Sequence, residues 1–307
     1  MVLKRGISKL SLNYKFARSS TSIRSVTQKE CSFRRSKVFH KHIKKIKLFD
    51  SAKYQKHLTT SWLGQSFEYV KEIGSTNSYL KKRAPENISH GQVLLAGLQT
   101  KGRGQYKRNW ESAAGQNLTF TLVLRPQQAN RFHILTLACA RALVAQIEEE
   151  LNQPAALKWP NDVIADGKKI AGLLTETVFN GNKLDRLLIG IGININQTSF
   201  ADEIKAKAGS LRMACGAEID REHFLAELLS RIEFEYGRWH KQNDELLKWI
   251  NQKIIGYGQW VRLKVDGQKH PGAFKMVGID NSGRLAVIDK EGGVKTFSYE
   301  QIRIIVD

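Results

Sequence analysis

Cysteine is scarce in this chain of 307 residues. Only Cys31, Cys139 and Cys215 are present, they lie far apart, and no CxxC pair occurs. The sequence therefore indicates neither a disulfide framework nor a thiolate zinc site, and a reducing compartment suits it. The eight histidines form no HExxH motif or comparable cluster, so a zinc protease is not indicated either.

Long apolar runs are also missing. The longest stretch, residues 187–195, is interrupted by Gly190, Gly192 and Asn194. A membrane-spanning helix needs about 18 or more apolar residues without such interruptions. We therefore predict no association with a membrane.

Acidic residues are nearly absent from the first 60 positions. This segment holds 16 Lys and Arg against Glu30 and Asp50, whereas residues 61–307 hold 33 basic and 27 acidic residues. Most of the net charge of +20 thus belongs to the N-terminal segment. A chain that binds nucleic acid over its whole surface is disfavoured, because the remaining residues are only mildly basic.

The same N-terminal segment has no sustained hydrophobic period. Its Ser- and Arg-rich composition predicts a disordered or only partly helical extension over residues 1–57. Three roles remain open for it: an organelle transit peptide, an arm that binds polyanions without specificity, or a solvated tail. It lacks the two compact amphipathic helices of a helix-turn-helix, so specific DNA binding is not expected.

Hydrophobic periodicity predicts a domain that mixes helices and strands over residues 58–255. Alternation predicts a strand with one buried face over 118–124, and a period of four predicts a helix over 131–151 in which Cys139 is an inert core residue. From residue 256 to 307, short apolar stretches separated by glycine turns predict a small all-β unit such as an SH3-like barrel.

A glycine-rich basic loop follows a predicted buried strand at residues 93–98. It reads Gly102-Arg103-Gly104-Gln105-Tyr106-Lys107-Arg108-Asn109-Trp110. Glycines allow a backbone to approach a ligand closely, and basic side chains suit an anion such as a phosphate or a carboxylate. Tyr106 and Trp110 offer aromatic faces to close over a flat or apolar group. Taken alone, the loop is read equally well as a solvated basic turn.

Four further segments place polar residues at the ends of predicted elements. Ser75-Thr76-Asn77 caps a helix, and the free N–H groups of the first turn suit a ligand. A second segment is predicted to form a turn, because proline interrupts strand pairing: Lys158-Trp159-Pro160-Asn161-Asp162. A third segment is a predicted strand that begins with a lysine, Lys169-Ile170-Ala171-Gly172-Leu173-Leu174. The fourth is a predicted strand that ends with a buried asparagine, whose amide needs hydrogen-bond partners: Gly190-Ile191-Gly192-Ile193-Asn194. Each segment also has an ordinary structural reading as a cap, a turn or a strand end.

These motifs, in this order, resemble those of biotin protein ligase (biotin–[acetyl-CoA-carboxylase] ligase), of the single-function type without a DNA-binding domain. The resemblance covers about residues 60–307 and includes Gln99, which precedes the glycine-rich loop. It implies an α+β fold in which helices flank a mixed central sheet, as in the catalytic domain of class II synthetases. A small C-terminal SH3-like β-barrel is implied as well.

The resemblance implies an enzyme that works in two steps. The carboxylate of biotin attacks the α-phosphate of ATP, with Mg²⁺ as the metal, and gives biotinyl-5′-AMP and pyrophosphate. A lysine of a biotin carboxyl carrier domain, part of a biotin-dependent carboxylase, then attacks the mixed anhydride and releases AMP. The implied location is cytoplasmic, or organellar if residues 1–55 act as a transit peptide, and the implied state is a monomer or a homodimer.

The resemblance also assigns roles to residues. Arg103 and Lys169 are implied to be catalytic. Biotin binding is implied for Ser75, Thr76, Asn77, Gln99, Arg103, Gly104, Gln105, Lys169 and Gly172. Nucleotide binding is implied for Arg108, Trp110, Lys158, Asn161, Asp162 and Asn194, and Asp162 is also the candidate contact for Mg²⁺.

The loop departs from the family pattern at Gln105 and Lys107, where more arginine and a further glycine are common. Gln105 cannot form a charged bond to phosphate, which predicts weaker retention of the adenylate. Two alternative functions stay open: a lipoate-type protein ligase, and a nucleic-acid-binding, biotin-responsive regulator. The polar set Ser75, Thr76 and Gln99 favours biotin over lipoate.

Overall fold

A seven-stranded mixed sheet forms the centre of the computed structural model, which describes residues 47–105, 108–126, 132–241, 245–265, 267–298 and 302–305. Its strands are β1 (Phe67–Val70), β2 (Val93–Ala96), β3 (Leu118–Leu124), β4 (Ala155–Lys158), β5 (Asp162–Ala165), β6 (Lys168–Asn180) and β7 (Lys183–Ile193). Their order in the sheet is β1-β2-β3-β7-β6-β5-β4. Only β1 and β2 are parallel, and every other neighbouring pair is antiparallel.

Helices cover both faces of this sheet. They are α1 (Ser51–His57), α2 (Thr76–Lys82), α3 (Phe132–Leu151), α4 (Leu211–Cys215), α5 (Arg221–His240) and α6 (Glu245–Lys253). Helix α3 packs against α5 and against β4, β5 and β6, whereas α2 packs against β2, β3 and β7 on the other face. The predicted mixed sheet flanked by helices is therefore confirmed.

Two expectations about the core have different outcomes. All seven residues of β3 are buried, so the prediction of a single buried face is wrong. The reason is that α2 covers the face that an antiparallel strand often exposes to water. Cys139 lies in the core beneath α5, and burial raises the pKa of its thiol to about 12, as an inert core cysteine requires.

The C-terminal residues form a second, five-stranded sheet. Its strands are β8 (Trp260–Val265), β9 (Gln268–Ile279), β10 (Leu285–Ile288), β11 (Val294–Phe297) and β12 (Ile302–Ile305). All neighbours are antiparallel in the order β11-β10-β9-β8-β12, which agrees with the predicted small β unit. Within the described strands β11 and β12 are opposite edges, so the sheet stays open rather than closing into a barrel. The domain boundaries at residues 57 and 255 stay predictions.

Residues 47–57, which belong to the predicted extension, contain helix α1. Helix α1 packs on α5, and Phe49 and Tyr54 are buried in the core. The backbone N–H of Asp50 donates to the Glu222 carboxylate of α5 at 3.0 Å. Composition did not reveal this segment because its contacts are with residues far along the chain. Residues 1–46 lie outside the described part, so the three roles of the extension stay open.

No helix in the described part of the chain is long and apolar enough to cross a membrane.

Asp220 is the N-cap of α5 and also binds a lysine of α1. Its Oδ1 accepts the backbone N–H groups of Glu222 and His223 at 3.2 Å each, and its carboxylate forms an ion pair with Lys53 of α1. Burial opposes ionisation, but the hydrogen bonds from Lys53 and from the backbone of His223 outweigh it and lower the pKa of Asp220 from 3.8 to about 2. The N-cap residue of α5 thus also binds α1.

Replacing Asp220 tests this double role. Asp220→Ala should lower the free energy of unfolding by about 1 kcal/mol at neutral pH, the usual contribution of a side-chain N-cap. Because the folded-state pKa is depressed, this contribution is present above the unfolded value of 3.8 and is lost as the pH falls toward about 2. Urea denaturation across this range should therefore show a steeper loss in the wild type than in the variant.

The control is Asp202→Ala, which removes an exposed ion pair with Lys205 and should change stability little. Equal destabilisation by the two substitutions would contradict the role given to Asp220.

Candidate active site

The described arms of the glycine-rich loop, residues 102–105 and 108–110, pair as a narrow antiparallel hairpin. The N–H of Gly104 donates to the carbonyl of Arg108 at 2.7 Å, and the N–H of Trp110 donates to the carbonyl of Gly102 at 3.1 Å. A side chain at Gly102 would overlap the carbonyl oxygen of Trp110. The hairpin therefore needs glycine at its base, and it returns Trp110 to the sheet. Tyr106 and Lys107 lie outside the described residues.

Three glycines on adjacent strands form what we call the glycine floor: Gly172, Gly190 and Gly192. Gly192 of β7 pairs with Gly172 of β6, and Gly190 pairs with Leu174. Cross-strand partners share one face of a sheet, so the three positions form a bare surface. A Cβ at Gly192 would overlap the indole of Trp110, and one at Gly190 would lie 2.6 Å from Oδ1 of Asn77. The floor thus lets these two side chains lie directly on the backbone.

The polar residues at the start of α2 form one hydrogen-bond network with β3. Ser75 is the N-cap, as predicted. Oε1 of Gln99 accepts from the backbone N–H of Thr76 at 2.7 Å and from its hydroxyl at 3.0 Å. Oγ1 of Thr121 lies 2.7 Å from Oγ1 of Thr76 and 2.5 Å from Oδ1 of Asn77. The hydroxyl of Thr121, which the sequence did not single out, therefore joins two predicted biotin-binding residues, Thr76 and Asn77, and Gln99 is linked to them through Thr76.

Both predicted catalytic cations are paired with carboxylates. Nζ of Lys169 lies 2.7 Å from Oδ1 of Asp162 and 5.4 Å from the centroid of the Trp110 ring. Nη2 of Arg103 donates to Oε2 of Glu176 at 2.7 Å. Carboxylate partners fix the positions of both cations, because charge-assisted hydrogen bonds are the stronger ones.

Glu176 is the site residue that sequence reasoning missed. Its Oε2 also accepts from Nδ2 of Asn77 at 3.0 Å, so it joins the loop to α2. A signal for it exists in the sequence. Side chains alternate along a strand, so Glu176 shares the face of β6 with Gly172 and Leu174, where a charged residue has to find partners.

The turn between β4 and β5 contains a cis peptide bond between Trp159 and Pro160. Nδ2 of Asn161 donates to the carbonyl of Leu173 at 2.5 Å, and the N–H of Leu173 donates to the carbonyl of Asn161 at 2.8 Å. The amide of Asn161 therefore ties this turn to β6. Lys158, at the end of β4, pairs in register with Asp162, the first residue of β5.

Two buried polar atoms near the floor have no hydrogen-bond partner among the described residues: Nε1 of Trp110 and Oδ1 of Asn194. Asn194 follows β7, and its Nδ2 donates to the carbonyl of Gly209 at 2.9 Å. Buried polar atoms normally have hydrogen-bond partners. The Nε1–H donor of Trp110 and the Oδ1 acceptor of Asn194 are therefore suited to bind a ligand. Arg108, in contrast, is exposed on the hairpin.

A cavity of about 360 Å³ opens beside Arg103. Its apolar walls include Leu137, Trp159, Pro160, Leu173 and Leu174, and the backbone of Gly104 also lines it. Its polar lining residues are Arg103, Gln105, Thr136, Asn161, Thr175 and Glu176. A volume of this size and a largely apolar lining are typical of small-molecule sites. Lys169 does not line this cavity and is linked to the loop through Trp110.

Fold and site together define an α+β domain with a largely apolar cavity and two paired cations beside a mixed sheet. Comparison with known proteins agrees. The sequence profile of the biotin/lipoate A/B protein ligase family matches residues 69–194, a range that contains every predicted site residue. The bifunctional ligase/repressor BirA of Bacillus subtilis is 34% identical over 245 residues, which cover 78% of this chain and 75% of that protein. The chain belongs to the biotin/lipoate A/B protein ligase family.

Further relatives support this assignment. The biotin–[acetyl-CoA-carboxylase] ligase of Mycobacterium tuberculosis is 31% identical over 235 residues, covering 73% of this chain and 83% of that one. Among solved structures, the biotin protein ligase from Aquifex aeolicus in complex with biotin and ATP superimposes with a TM-score of 0.69 at 32% identity. That match covers 78% of this chain and 100% of the Aquifex chain.

A side chain added to the floor should displace Trp110. In Gly192→Ala the new methyl group overlaps the indole, so we expect a changed near-UV circular dichroism spectrum and a loss of about 1–3 kcal/mol in the free energy of unfolding.

Gly237→Ala is the matched control, since a Cβ there meets nothing within 4 Å and lies within α5. Alanine in a helix interior should keep or slightly raise stability. An unchanged near-UV spectrum in Gly192→Ala would count against the contact between Trp110 and the floor.

Proposed function

We propose that the chain is an ATP-dependent biotin protein ligase. It activates biotin as biotinyl-5′-AMP and transfers the biotinyl group to a lysine of a biotin carboxyl carrier domain. The observation that carries this proposal is the grouping of Arg103, Lys169 and the Thr76–Gln99 network around a glycine floor. The Aquifex relative, which is similar over its whole length, holds biotin and ATP.

The first step brings two anions together. A carboxylate oxygen of biotin attacks the α-phosphorus of ATP, and the bond from that phosphorus to the pyrophosphate oxygen breaks. Negative charge grows on the phosphoryl oxygens during the attack, and fixed cations stabilise it. Arg103 and Lys169 supply these cations, with Lys169 held by Asp162 at 2.7 Å.

The second step needs no nucleophile from the enzyme. The amine of the carrier lysine attacks the carbonyl carbon of the mixed anhydride, and AMP leaves with the electron pair of the broken C–O bond. Both nucleophiles are thus substrates. The contribution of the chain is to orient them, which is one of the larger sources of rate in such reactions.

The network at the start of α2 and the floor form the biotin-binding part of the site. The hydroxyls and amides of Ser75, Thr76, Asn77 and Gln99 suit the polar ureido ring, and Gly172, which has no side chain, lets the backbone come close to the ligand. Gly104 and Gln105 line the cavity on the loop side. Trp110 closes over the bound intermediate.

The nucleotide end comprises Arg108, Trp110, Lys158, Asn161, Asp162 and Asn194. The unpartnered Oδ1 of Asn194 suits a donor such as the amino group of adenine. No group of three or more metal-ligating side chains gathers in the part of the chain that the structure describes. Asp162 alone suits Mg²⁺, which usually takes one or two carboxylates together with substrate phosphates and water. When bound, the metal neutralises phosphate charge.

The remaining assignments extend this proposal. The partner is the carrier domain of a biotin-dependent carboxylase, the location is cytoplasmic, and the working unit is a monomer or a homodimer without specific DNA binding. Organellar import and a role as a nucleic-acid-binding regulator both depend on residues 1–46. A filter-binding assay on the full chain and on a chain lacking these residues separates the regulator from the ligase.

Removing either cation should impair adenylation. Lys169→Ala and Arg103→Ala should each slow biotin-dependent pyrophosphate release from MgATP by about 10²–10³, the usual effect of removing one transition-state donor. Their thermal midpoints should stay close to that of the wild type, since both side chains are partly exposed.

Lys205→Ala, which changes an exposed lysine paired with Asp202, is the control and should react at the wild-type rate. Wild-type rates in both site variants would overturn the roles of Arg103 and Lys169. Lipoate in place of biotin tests the alternative substrate, and faster adenylation of lipoate would favour the lipoate-type ligase.

Gln105 offers a second test at the loop. Gln105→Arg adds a guanidinium to a residue that lines the cavity beside Arg103, so it should slow the release of biotinyl-5′-AMP. The measurement is the dissociation rate of labelled intermediate from the wild type and the variant. Equal rates would remove the link between Gln105 and retention of the intermediate.

A further inference from the structure

We propose that Glu176 is a positioning residue, which holds the guanidinium of Arg103 and the amide of Asn77 in the arrangement that biotin requires. This inference rests on the proposed function, because it concerns the same site. The carboxylate does not itself need to touch the ligand, and its effect is exerted through its two partners.

One carboxylate connects three separate parts of the chain. Oε2 of Glu176 accepts from Nη2 of Arg103 at 2.7 Å and from Nδ2 of Asn77 at 3.0 Å, while Oε1 lies 3.5 Å from Nζ of Lys81. The Glu176 side chain is only 15% exposed. The loop, helix α2 and strand β6 are therefore fixed relative to one another through this residue.

Arg103 needs such a partner because of where it lies. It stands between Gly102 and Gly104, and 42% of its side chain is exposed. A long, exposed side chain on a glycine-rich loop has many rotamers, and ordering it on ligand binding is costly. A guanidinium has five N–H donors. Glu176 engages Nη2, so its bond orients Arg103 without using all the donors that suit an anion.

The amide of Asn77 is fixed in the same way. Nδ2 donates to the carbonyl of Leu174 at 3.1 Å as well as to Glu176, and Oδ1 is 2.5 Å from the hydroxyl of Thr121. Asn77 is buried and lies against Gly190 of the floor, so a change in the orientation of its amide would disturb the floor beside the ligand. Loss of the Glu176 carboxylate removes one of the bonds that select this orientation.

A positioning role and a purely electrostatic role predict opposite results. A carboxylate near an anionic ligand repels it, so neutralising Glu176 would strengthen biotin binding if charge alone mattered. If Glu176 positions Arg103 and Asn77, the same change weakens binding. Glu176→Gln separates the two, since it removes the charge and keeps the size of the side chain.

The experiment compares biotin dissociation constants, measured by calorimetry on the full chain. Glu176→Gln should weaken biotin binding about tenfold, because an amide oxygen holds the guanidinium of Arg103 less strongly than a carboxylate does. Glu68→Gln is the matched control, because it removes another carboxylate–arginine pair, Glu68 with Arg83 at 2.8 Å, at the far end of α2. Its dissociation constant should equal that of the wild type. Unchanged or tighter biotin binding in Glu176→Gln would overturn the inference.

A double-substitution cycle shows whether the effect passes through Arg103. In the Arg103→Gln background, Glu176→Gln should weaken binding by less than about threefold further, because one of its partners is already gone. A full tenfold effect in both backgrounds would contradict the inference. If Arg103→Gln alone leaves binding and adenylation unchanged, the proposed role of Arg103 fails instead. Thermal midpoints measured alongside identify a variant that merely unfolds.

Discussion

Close approach to the backbone of β6 and β7 is the constraint on which the rest of the site depends. Side chains at Gly190 and Gly192 would occupy the space that Asn77 and Trp110 now fill, and one at Gly172 would press on Lys169 and Trp110. These positions lie in the interior of a sheet, where glycine ordinarily weakens a strand. The surrounding strands and helices offset that weakness, because the sheet is covered on both faces and β3 and β6 flank β7 along its length.

Charge is arranged around this floor in pairs. Arg103 is matched by Glu176 and Lys169 by Asp162, so each cation is positioned before an anion arrives. Isolated cations on a surface would be mobile and hydrated, and would have to be ordered at the moment of reaction. Preorganised pairs avoid this reorganisation, which is the physical basis of electrostatic catalysis in such sites.

Local rules predicted much of this architecture. Ser75 caps the helix that follows it, and the alternation of residues 118–124 indicated a strand. What the sequence did not reveal depends on contacts between distant segments. Three features join residues that are tens of positions apart: the sheet order, the packing of α1 on α5 and the bond from Arg103 to Glu176. No local sequence pattern predicts such contacts.

The most direct measurement is a crystal structure of the chain with biotin and a non-hydrolysable ATP analogue. The account predicts biotin beside Trp110 and the Thr76–Gln99 network, with Arg103 and Lys169 within hydrogen-bonding distance of its carboxylate and of the α-phosphate. Biotin and the analogue bound away from the floor, with neither cation in contact with them, would contradict it.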